Sequence, residues 1–322
     1  MKGFLKRTAA VLVCMVWLSP QALAAEALIP VGEVIGIELA DGSVTVAAFD
    51  EDLGENAKKA GLQVGDTILT MDDKKVTCAQ DVRYVLERAG GTVDVEIARQ
   101  GKQKHLKLTP QVTAEGPKLG VYLKQGITGV GTVTWYDPQS GDFGALGHGV
   151  NTQDGKLLQM EQGTAYKASV ESVKKGEVGE PGQLMGAMSD PAPVGQLMKN
   201  TGCGIFGKTQ TGWEGDCVRI AAKDEVRTGP AVIRSTVQGS RVQEYSVEIL
   251  KIYPNSDSSG RNMLLRVTDP VLLGATGGIV QGMSGSPIIQ DGKLVGAVTH
   301  VLVNDPTTGY GIFIENMLDA AA

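Results

Sequence analysis

The sequence is poor in residues on which several common protein classes depend. Its 322 residues include three histidines, four cysteines, three tryptophans and five phenylalanines. The histidines and cysteines do not cluster, and no two cysteines have the close spacing of a zinc site, so we expect neither a metal nor a cofactor. The net charge of −6 repels phosphate backbones, which argues against a nucleic-acid partner.

Glycine, by contrast, is abundant, with 43 residues. Many glycines together with frequent valine and threonine favour short strands joined by tight turns over long helices. An α/β-hydrolase needs alternating long helices, so that class is disfavoured. The length suggests two domains of ordinary size, and we therefore expect a mainly β protein with two domains.

Residues 1–24 have the pattern of a secretory signal. Three basic side chains precede an apolar run from Thr8 to Leu18, and Ala22-Leu23-Ala24 ends the segment. A basic start, a short apolar core and a small-x-small end predict export, with cleavage after Ala24. The apolar run is too short to span a bilayer comfortably, although an uncleaved N-terminal anchor that keeps the protein at the membrane stays an alternative.

The cysteines allow one intramolecular disulfide to be considered. Cys14 leaves with the signal, and Cys78 has no evident partner. Cys203 and Cys217 are close enough in sequence to close a small loop, and export permits a disulfide. Spacing alone does not determine the geometry, so the sequence leaves this bridge open.

Residues 27–111 combine strand-like runs with two short helical patterns, as in an α+β domain. The run Ala60–Leu69 resembles the PDZ family of peptide-binding domains, particularly those fused to bacterial proteases. In that family an apolar-Gly-apolar loop donates backbone N–H groups to a peptide or C-terminal tail, and Ile35, Gly36 and Ile37 match this loop. Glycine permits the close approach, and the peptide then adds a strand to an open edge. Alternatively, these three residues simply begin a buried strand.

Residues 116–322 form a succession of short strand-like runs separated by turn residues. Evenly spaced strands of this kind predict an antiparallel barrel or sandwich. Two motifs stand out in this region: a histidine between glycines in Gly144–Val150, and a serine loop in Gly282–Ile289. The two motifs together indicate a trypsin-like antiparallel double β-barrel after the PDZ-like domain.

The serine loop has the features that a nucleophilic serine requires. A hydroxyl is a weak nucleophile until a base takes its proton, and the carbonyl that it attacks needs N–H donors for its developing charge. Ser284 has glycine beside it, and the N–H groups of Gly282 and Ser284 match the oxyanion hole of trypsin-like proteases. Ser286 is a weaker candidate because Pro287 follows it directly.

The candidate base is His148, which precedes Ser284 in the chain order His, Asp, Ser of trypsin-like enzymes. His105 lies in the predicted PDZ-like hairpin, where we expect a surface residue. His300 lies on the strand after the serine loop, where we expect it to line the cleft or to pack in the core.

The acid is less well determined by the residues alone. The candidates are Asp142, Asp190, Asp216, Asp257 and Asp269. An acid that orients the imidazole must be held rigidly, and Asp269 suits this role because it follows a strand-like run and precedes Pro270. An ordinary Thr-Asp-Pro turn would have the same sequence.

The run from Thr268-Asp269-Pro270 through the serine loop to His300-Val301 resembles the SpoIVB peptidase family, the stage IV sporulation protein B of endospore-forming bacteria. The resemblance includes the Gly147-His148-Gly149 box and the PDZ-first order. It implies a catalytic triad of His148, Asp269 and Ser284, with Thr299 as a further residue near the site.

The resemblance also implies a biological role. Members of the family are exported from the forespore into the space between its two membranes, where they cut themselves. They then cut a membrane-bound regulator of an intramembrane protease, which goes on to process a sigma factor precursor. For this chain we therefore expect protein substrates, self-cleavage and sporulation signalling.

Two other functions are compatible with the motifs. An HtrA-like quality-control protease would degrade unfolded proteins broadly, and an adaptor with a PDZ-like domain and an inactive protease fold would bind without cutting.

Met283 precedes the nucleophile where digestive trypsin-like enzymes have an aspartate. Activation through an ion pair with a new N-terminus is therefore excluded.

Overall fold

The computed structural model describes residues 27–152, 155–254 and 260–322. The predicted signal segment, residues 1–24, lies outside this part of the chain, and so does Asp257, one of the candidate acids. Within it, runs of alternating apolar and polar residues form strands, and glycine-rich segments form the turns between them.

The strands are numbered in chain order. The first nine are β1 (Ala27–Pro30), β2 (Val34–Phe49), β3 (Thr67–Met71), β4 (Lys74–Lys75), β5 (Val93–Arg99), β6 (Lys102–Leu108), β7 (Gln111–Thr113), β8 (Gly116–Lys118) and β9 (Val121–Tyr136). The remaining strands are β10 (Asp142–Ala145), β11 (Gln162–Lys174), β12 (Gln183–Thr201), β13 (Gly204–Lys208), β14 (Val218–Arg219), β15 (Gly229–Thr236), β16 (Val242–Ile252), β17 (Met263–Val267), β18 (Pro287–Gln290), β19 (Lys293–Leu302) and β20 (Asp305–Phe313). The helices are α1 (Glu55–Lys59), α2 (Ala79–Leu86), α3 (Pro270–Thr276) and α4 (Ile314–Ala321), and Lys223–Glu225 forms a turn of 3-10 helix.

Two rings of six antiparallel strands make up most of the molecule. In the first barrel the strands run in the order β9, β10, β13, β12, β11 and β2, and the pairing of β2 with β9 closes the ring. The second barrel is closed in the order β15, β16, β17, β20, β19 and β18. The prediction of a mainly β protein with an antiparallel double barrel is confirmed.

Strands β2 and β9 continue beyond the first barrel into a smaller α+β unit. Val34–Leu39 pairs with β9 and β11 inside the barrel, whereas Val44–Phe49 pairs with β9 and β3 outside it. The PDZ-like unit therefore lies between these two pairings, as an insertion of about residues 44–125 into the first barrel.

The hydrophobic cores lead to the same division of the chain. One core extends from Val44 to Leu119 and is separate from the core that contains Ile35 and Ile37. The predicted block 27–111 is therefore corrected at both ends. The sequence alone did not reveal that one strand can serve two cores in succession.

An ion pair holds the turn that carries the PDZ-like sequence run. The carboxylate of Asp66 is buried and accepts two hydrogen bonds of 2.6 Å from the guanidinium of Arg99, which also donates to the carbonyl of Gly61. Burial alone would raise the pKa of Asp66, but the hydrogen bonds from Arg99 and from the Gln63 N–H outweigh it and lower the pKa. This buried charge is therefore fully paired.

The second barrel owes its core to strict alternation along its strands. On β16, Tyr245, Val247 and Ile249 are buried while the residues between them face outward. The C-terminal helix α4 packs Ile314 and Met317 against Leu28 and its neighbours at the junction of the barrels.

Two further findings concern export and the cysteines. Cys203 and Cys217 are free thiols, so no disulfide joins them. Along the described part of the chain, no helix is long and apolar enough to cross a membrane.

Candidate active site

A cleft of about 750 Å³ lies between the two barrels. The first barrel contributes His148 to its wall, and the second contributes Ser284, Thr299 and His300. Two sequence motifs that are 136 positions apart are thus brought to one place by the packing of the barrels.

The backbone before His148 makes a sharp turn. Leu146 and Gly147 both have φ near +68°, a region that side chains with a Cβ rarely adopt, and the Gly147 N–H donates to the carbonyl of Ala145. A Cβ on Gly147 would lie 2.9 Å from Cγ2 of Thr299 in the other barrel. Glycine at this position therefore permits both the turn and the contact between the barrels.

The tautomer of His148 follows from its one hydrogen bond in the structure. Its Nδ1 lies 3.0 Å from the carbonyl oxygen of Gly149. Because a carbonyl only accepts, Nδ1 carries the proton and Nε2 is left free to act as a base. Burial lowers the pKa of His148, and the bond to Gly149 offsets part of this effect. The ring is therefore held neutral at neutral pH.

The loop around Ser284 is shaped by glycines on both sides. Gly282 and Gly285 have φ of 97° and 98°, and a Cβ on Gly285 would lie 2.0 Å from the carbonyl oxygen of Thr132. Along the described chain, the N–H groups of Gly282 and Ser284 make no hydrogen bond. Both N–H groups are therefore available to a ligand, and their role as donors to an oxyanion stays a prediction.

Thr299 connects the serine to the rest of the cleft. The hydroxyl of Ser284 donates to the carbonyl oxygen of Thr299 at 2.7 Å, and the Thr299 hydroxyl donates to the carbonyl of Gly260 at 2.6 Å. In this resting arrangement the proton of Ser284 points to Thr299 and not to His148. Before Ser284 can act as a nucleophile, it must release this bond and give its proton to a base.

Two threonines on β9 were missed by sequence reasoning. The buried hydroxyls of Thr132 and Thr134 donate to the carbonyls of Gly282 and Gly285, at 2.8 and 2.7 Å, and the Thr132 N–H donates to the carbonyl of Ser284. The first barrel thus holds the serine loop of the second. The available signal was two polar residues with period two in an otherwise apolar strand.

His300 packs beside His148, with 5.1 Å between the ring centroids. Burial, followed by the charges of His148 and Arg261, lowers the pKa of His300 to about 4. Within the described residues its buried Nδ1 has no hydrogen-bond partner. His300 therefore packs against His148 as a neutral ring and lines the cleft, as expected.

The competing serine and histidine lie elsewhere. Ser286 is fully buried and its hydroxyl donates to Ser235, so it cannot reach a substrate. His105 is exposed on β6 of the PDZ-like unit.

Asp269 is not brought to His148. Its Oδ1 accepts the N–H groups of Val271 and Leu272 at the start of α3, and its Oδ2 accepts the N–H of Ser246. In this structure the carboxylate makes no hydrogen bond to His148, and the role of orienting the imidazole stays a prediction.

The other candidate acids in the described part of the chain form an ion pair, accept a backbone hydrogen bond or are exposed. Asp142 lies 3.5 Å from Lys208, Asp190 accepts the N–H of Ala192, and Asp216 is exposed. His148 therefore bonds to a backbone carbonyl and to none of these carboxylates.

Ile35, Gly36 and Ile37 do not border an open sheet edge. Each pairs with β9 on one side and with β11 on the other, so no peptide can add a strand there, and the predicted peptide loop is corrected. The same apolar-Gly-apolar pattern recurs in Leu119-Gly120-Val121, directly before Val121–Gln125, where β9 pairs with β2 on one side and no described strand pairs with the other. The repeated pattern was the signal that could have located it.

The cleft can perform acyl transfer with protein groups alone. It combines a hydroxyl, a neutral imidazole with a free Nε2 and two unused N–H donors, which are the parts of a serine hydrolase. Among the described residues, no group of three or more His, Cys, Asp or Glu side chains could hold a metal ion.

Comparisons with known proteins agree with this chemistry. Residues 115–318 match the family described as SpoIVB peptidase S55. A probable periplasmic serine endoprotease, DegP-like, of Pseudomonas fluorescens is 30% identical over 144 residues, which are 41% of this chain and 30% of that protein. A putative zinc metalloprotease of Rhizobium meliloti is 33% identical over 111 residues, which are 34% and 28% of the two chains. The chain thus spans about a third or less of the length of these curated relatives.

Solved structures show weaker likenesses. The active form of the Rv3671c protease from Mycobacterium tuberculosis is 17% identical, with 61% of this chain and 75% of that chain covered and a TM-score of 0.35. The PDZ domain of the SdrC-like protein from Listeria monocytogenes is 21% identical, with 25% and 85% covered and a TM-score of 0.22. Neither likeness is strong enough to establish a shared overall fold.

The family match covers more than half of the chain, and it contains both His148 and Ser284. A PDZ-like unit beside a peptidase cleft is consistent with protein or peptide substrates. The chain therefore belongs to the SpoIVB peptidase S55 family.

Proposed function

We propose that the protein is an endopeptidase in which Ser284 is the nucleophile and His148 the general base. The observation that carries this proposal is the pair of unused N–H donors, of Gly282 and Ser284, beside a hydroxyl in the same cleft as a neutral imidazole. Nε2 of His148 takes the hydroxyl proton as the oxygen of Ser284 attacks the scissile carbonyl. The two N–H groups receive the negative charge, and His148 then gives the proton to the leaving amine.

In this proposal a backbone carbonyl takes over tasks that a carboxylate performs in a catalytic triad. The carbonyl of Gly149 keeps the proton of His148 on Nδ1 and therefore selects the reactive tautomer. This dipole also stabilises the imidazolium that forms during the reaction, although less than a carboxylate would.

A fluorophosphonate probe tests the nucleophile. We expect the wild type to be labelled and Ser284→Ala to lose both labelling and peptide cleavage, because the substitution removes the proposed nucleophile. Ser286→Ala is the matched control, since it removes the neighbouring hydroxyl and should keep its label. Labelling of folded Ser284→Ala at the wild-type rate would contradict the proposal.

The lining of the cleft indicates the substrate class. Aliphatic side chains surround the serine loop, and among the described residues no charged side chain lines the cleft; the aliphatic ones are Ile37, Ile127, Val130, Leu146, Val150, Leu157, Ile279, Val280 and Val301. Burial of an apolar substrate side chain is favourable there, and a charged one would be desolvated without a partner. Peptide libraries should therefore show cleavage next to apolar residues, and a preference for lysine or arginine would contradict this.

Membership in the family supports a more specific role. In this role the exported protein acts in the space between the forespore membranes, cuts itself, and then cuts a membrane-bound regulator of an intramembrane protease. Incubation of the purified protein with the extracytoplasmic part of such a regulator should give one or a few defined products. Ser284→Ala should give none.

Quality control is the second candidate, and the DegP-like relative favours it. A quality-control protease would degrade unfolded casein to many small peptides, whereas a signalling protease would leave most of it intact. An inactive adaptor would bind the regulator and fail to react with the fluorophosphonate probe.

We further propose that a peptide binds to the PDZ-like unit at the open edge of Val121–Gln125, after Leu119-Gly120-Val121. Gly120 has φ of +68°, and a Cβ there would lie 2.1 Å from the Leu53 carbonyl, so the loop requires glycine. Addition of the regulator segment should slow amide hydrogen exchange at residues 121–125 and leave residues 34–39 unchanged. The opposite pattern would contradict this placement.

A further inference from the structure

The peptide group between Gly149 and Val150 connects two side chains. Its carbonyl oxygen, on Gly149, lies 3.0 Å from Nδ1 of His148. Its N–H, on Val150, donates to Oδ1 of Asn200 at 2.9 Å. Because this peptide bond is trans, its C=O and its N–H point in opposite directions. The imidazole and the Asn200 amide therefore bond to one rigid peptide plane from its two sides.

We propose that Asn200 is a positioning residue for the base. By fixing this peptide plane it directs the Gly149 carbonyl at Nδ1 of His148, and it thereby keeps the ring proton away from Nε2. The proposal rests on the peptidase mechanism proposed above. Asn200 acts on the imidazole only through the peptide group that they share.

The side-chain amide of Asn200 bonds to the backbone of Val150 as a neighbouring strand would. Its Oδ1 accepts the Val150 N–H, and its Nδ2 donates to the Val150 carbonyl at 2.8 Å and to the Leu158 carbonyl at 3.0 Å. The Leu158 N–H also donates to the Val150 carbonyl, at 3.0 Å. One side chain thus holds both ends of the loop that follows His148. Neither a carboxylate nor a hydroxyl has the two donors and one acceptor that this requires.

Asn200 is itself held in the first barrel. It lies near the end of β12 and pairs with Ile205 on β13. A Cβ on Gly149 would lie 2.6 Å from the Thr201 carbonyl oxygen and 2.4 Å from Cδ1 of Leu157. Glycine at position 149 therefore lets the peptide lie close to the strand, where the Asn200 amide can reach it.

Loss of the Asn200 amide should free this peptide to turn. The Gly149 carbonyl can then leave Nδ1, and a neutral imidazole with its proton on Nε2 cannot accept the proton of Ser284. The bond to Gly149 also offsets part of the effect of burial by raising the pKa of His148, so its loss should lower that pKa. The ring of His300, which faces His148 from β19, stays the same. A purely structural role for Asn200 would change stability and leave the tautomer and the pKa as they are.

The experiment compares Asn200→Leu and Asn200→Asp with the wild type, each as the full chain. Leucine has nearly the shape of asparagine and removes all three hydrogen bonds, whereas aspartate keeps an acceptor for the Val150 N–H and removes both donors. The measurements are ¹⁵N NMR of the histidine rings, the pH profile of peptide cleavage and thermal unfolding. The signals of His148 are identified by their absence from His148→Gln.

The wild type at neutral pH should carry the proton of His148 on Nδ1. In Asn200→Leu we expect a mixture of the two tautomers and a KM close to that of the wild type. We expect kcat to fall by about 10-fold to 100-fold, the range for outer partners that orient metal-bound histidines. The acidic limb of kcat/KM should move to lower pH by less than about one unit.

Asn200→Asp should behave differently although it also unfolds at a lower temperature. Because the Val150 N–H keeps its acceptor, the proton of His148 should stay on Nδ1 and kcat should fall by less than about 10-fold. The acidic limb should move to higher pH, since the new negative charge lies one peptide group away from the imidazole. The two variants therefore shift the limb in opposite directions.

Thr201→Val is the matched control. The Thr201 hydroxyl donates to the Gly204 carbonyl and accepts the Cys203 N–H, both at 3.2 Å, in the turn directly after Asn200. The substitution removes hydrogen bonds from this turn and leaves the Asn200 amide in place. It should lower the unfolding temperature and keep the tautomer, the pH profile and kcat of the wild type.

Several results would overturn the proposal. A proton on Nε2 of His148 in the wild type would show, without any variant, that the Gly149 carbonyl does not select the tautomer. The wild-type tautomer and kcat in folded Asn200→Leu would show that another group orients the ring, and loss of the tautomer in folded Asn200→Asp would show that the bond to Val150 N–H does not set the carbonyl. An equal loss of kcat in Thr201→Val would make the effect a structural one.

These failures are distinct from a failure of the proposed function. Fluorophosphonate labelling of the wild type but not of Ser284→Ala would leave the nucleophile as proposed, whatever the role of Asn200. Equal labelling of both would remove the peptidase mechanism itself, and with it the reaction that Asn200 is proposed to assist.

Discussion

The PDZ-like unit and the cleft treat their polar groups in opposite ways. In the PDZ-like unit, both oxygens of buried Asp66 are bonded to Arg99, and Gln63 adds a third hydrogen bond. In the cleft, the N–H groups of Gly282 and Ser284 and Nδ1 of His300 have no partner in the described structure. The first arrangement stabilises the fold, and the second leaves groups available for a substrate.

This difference shows how function can be located by unsatisfied hydrogen bonds. A buried donor without an acceptor costs about 1–3 kcal/mol, so a folded protein keeps few of them. In the cleft, Nδ1 of His300 is buried without a partner, whereas the N–H groups of Gly282 and Ser284 are half-buried and can exchange water for a ligand.

The largest effect on stability should come from breaking the paired charge of the PDZ-like unit. Asp66→Ala leaves the Arg99 guanidinium without its partner and should lower the free energy of unfolding by about 3 kcal/mol, as measured by urea denaturation. Glu55→Gln, which removes an exposed partner of Lys59, is the control and should change little. A small effect of Asp66→Ala would show that the two regions do not differ as described.

The next effect concerns the bonds by which the first barrel holds the serine loop. Thr132→Val keeps the shape but leaves the carbonyl of Gly282 without its donor, so we expect a loss of about 1–2 kcal/mol in stability and of about 10-fold in kcat. Thr128→Val, on the exposed part of the same strand, is the matched control. Equal behaviour of the two variants in peptide cleavage would contradict the role given to Thr132.

The pH profile tests whether a carboxylate lies beside His148. Burial lowers the pKa of His148, and the base acts only when neutral, so activity is present above this pKa and lost as the pH falls through it. The acidic limb of kcat/KM should therefore have its midpoint below about pH 6.5, the ordinary value for histidine. A midpoint above 6.5 would indicate a nearby negative charge, which raises the pKa of an imidazole.

The smallest effect should come from removing the aromatic ring that packs against His148. His300→Ser removes the ring that lies 5.1 Å from His148 and lets water approach, so the pKa of His148 should rise. We expect the acidic limb to move upward by less than about one pH unit. His105→Ser, in the exposed hairpin of the PDZ-like unit, should leave the profile unchanged and serves as the control.

Sequence reasoning located the parts of the site that depend on local backbone requirements. The glycines beside His148 and Ser284, which are Gly147, Gly282 and Gly285, have φ values above +60°, and these glycines are visible in the sequence. The helix that begins at Asp269 was not predicted, because the same three residues serve equally well at the end of a strand and at the start of a helix. Thr132 was missed because its partner lies 150 residues away.

The amino-acid sequence by itself determined that the protein is mainly β, that two glycine-bounded motifs carry a hydroxyl and an imidazole, and that its family uses them for peptide cleavage. These features follow from local periodicity and from the conformations that glycine alone allows. Tertiary structure decided which edge of the PDZ-like unit is open, which groups hold the serine loop and what Asp269 bonds to. Those outcomes depend on strand pairing and on hydrogen bonds between residues far apart in the chain, and no local pattern specifies them.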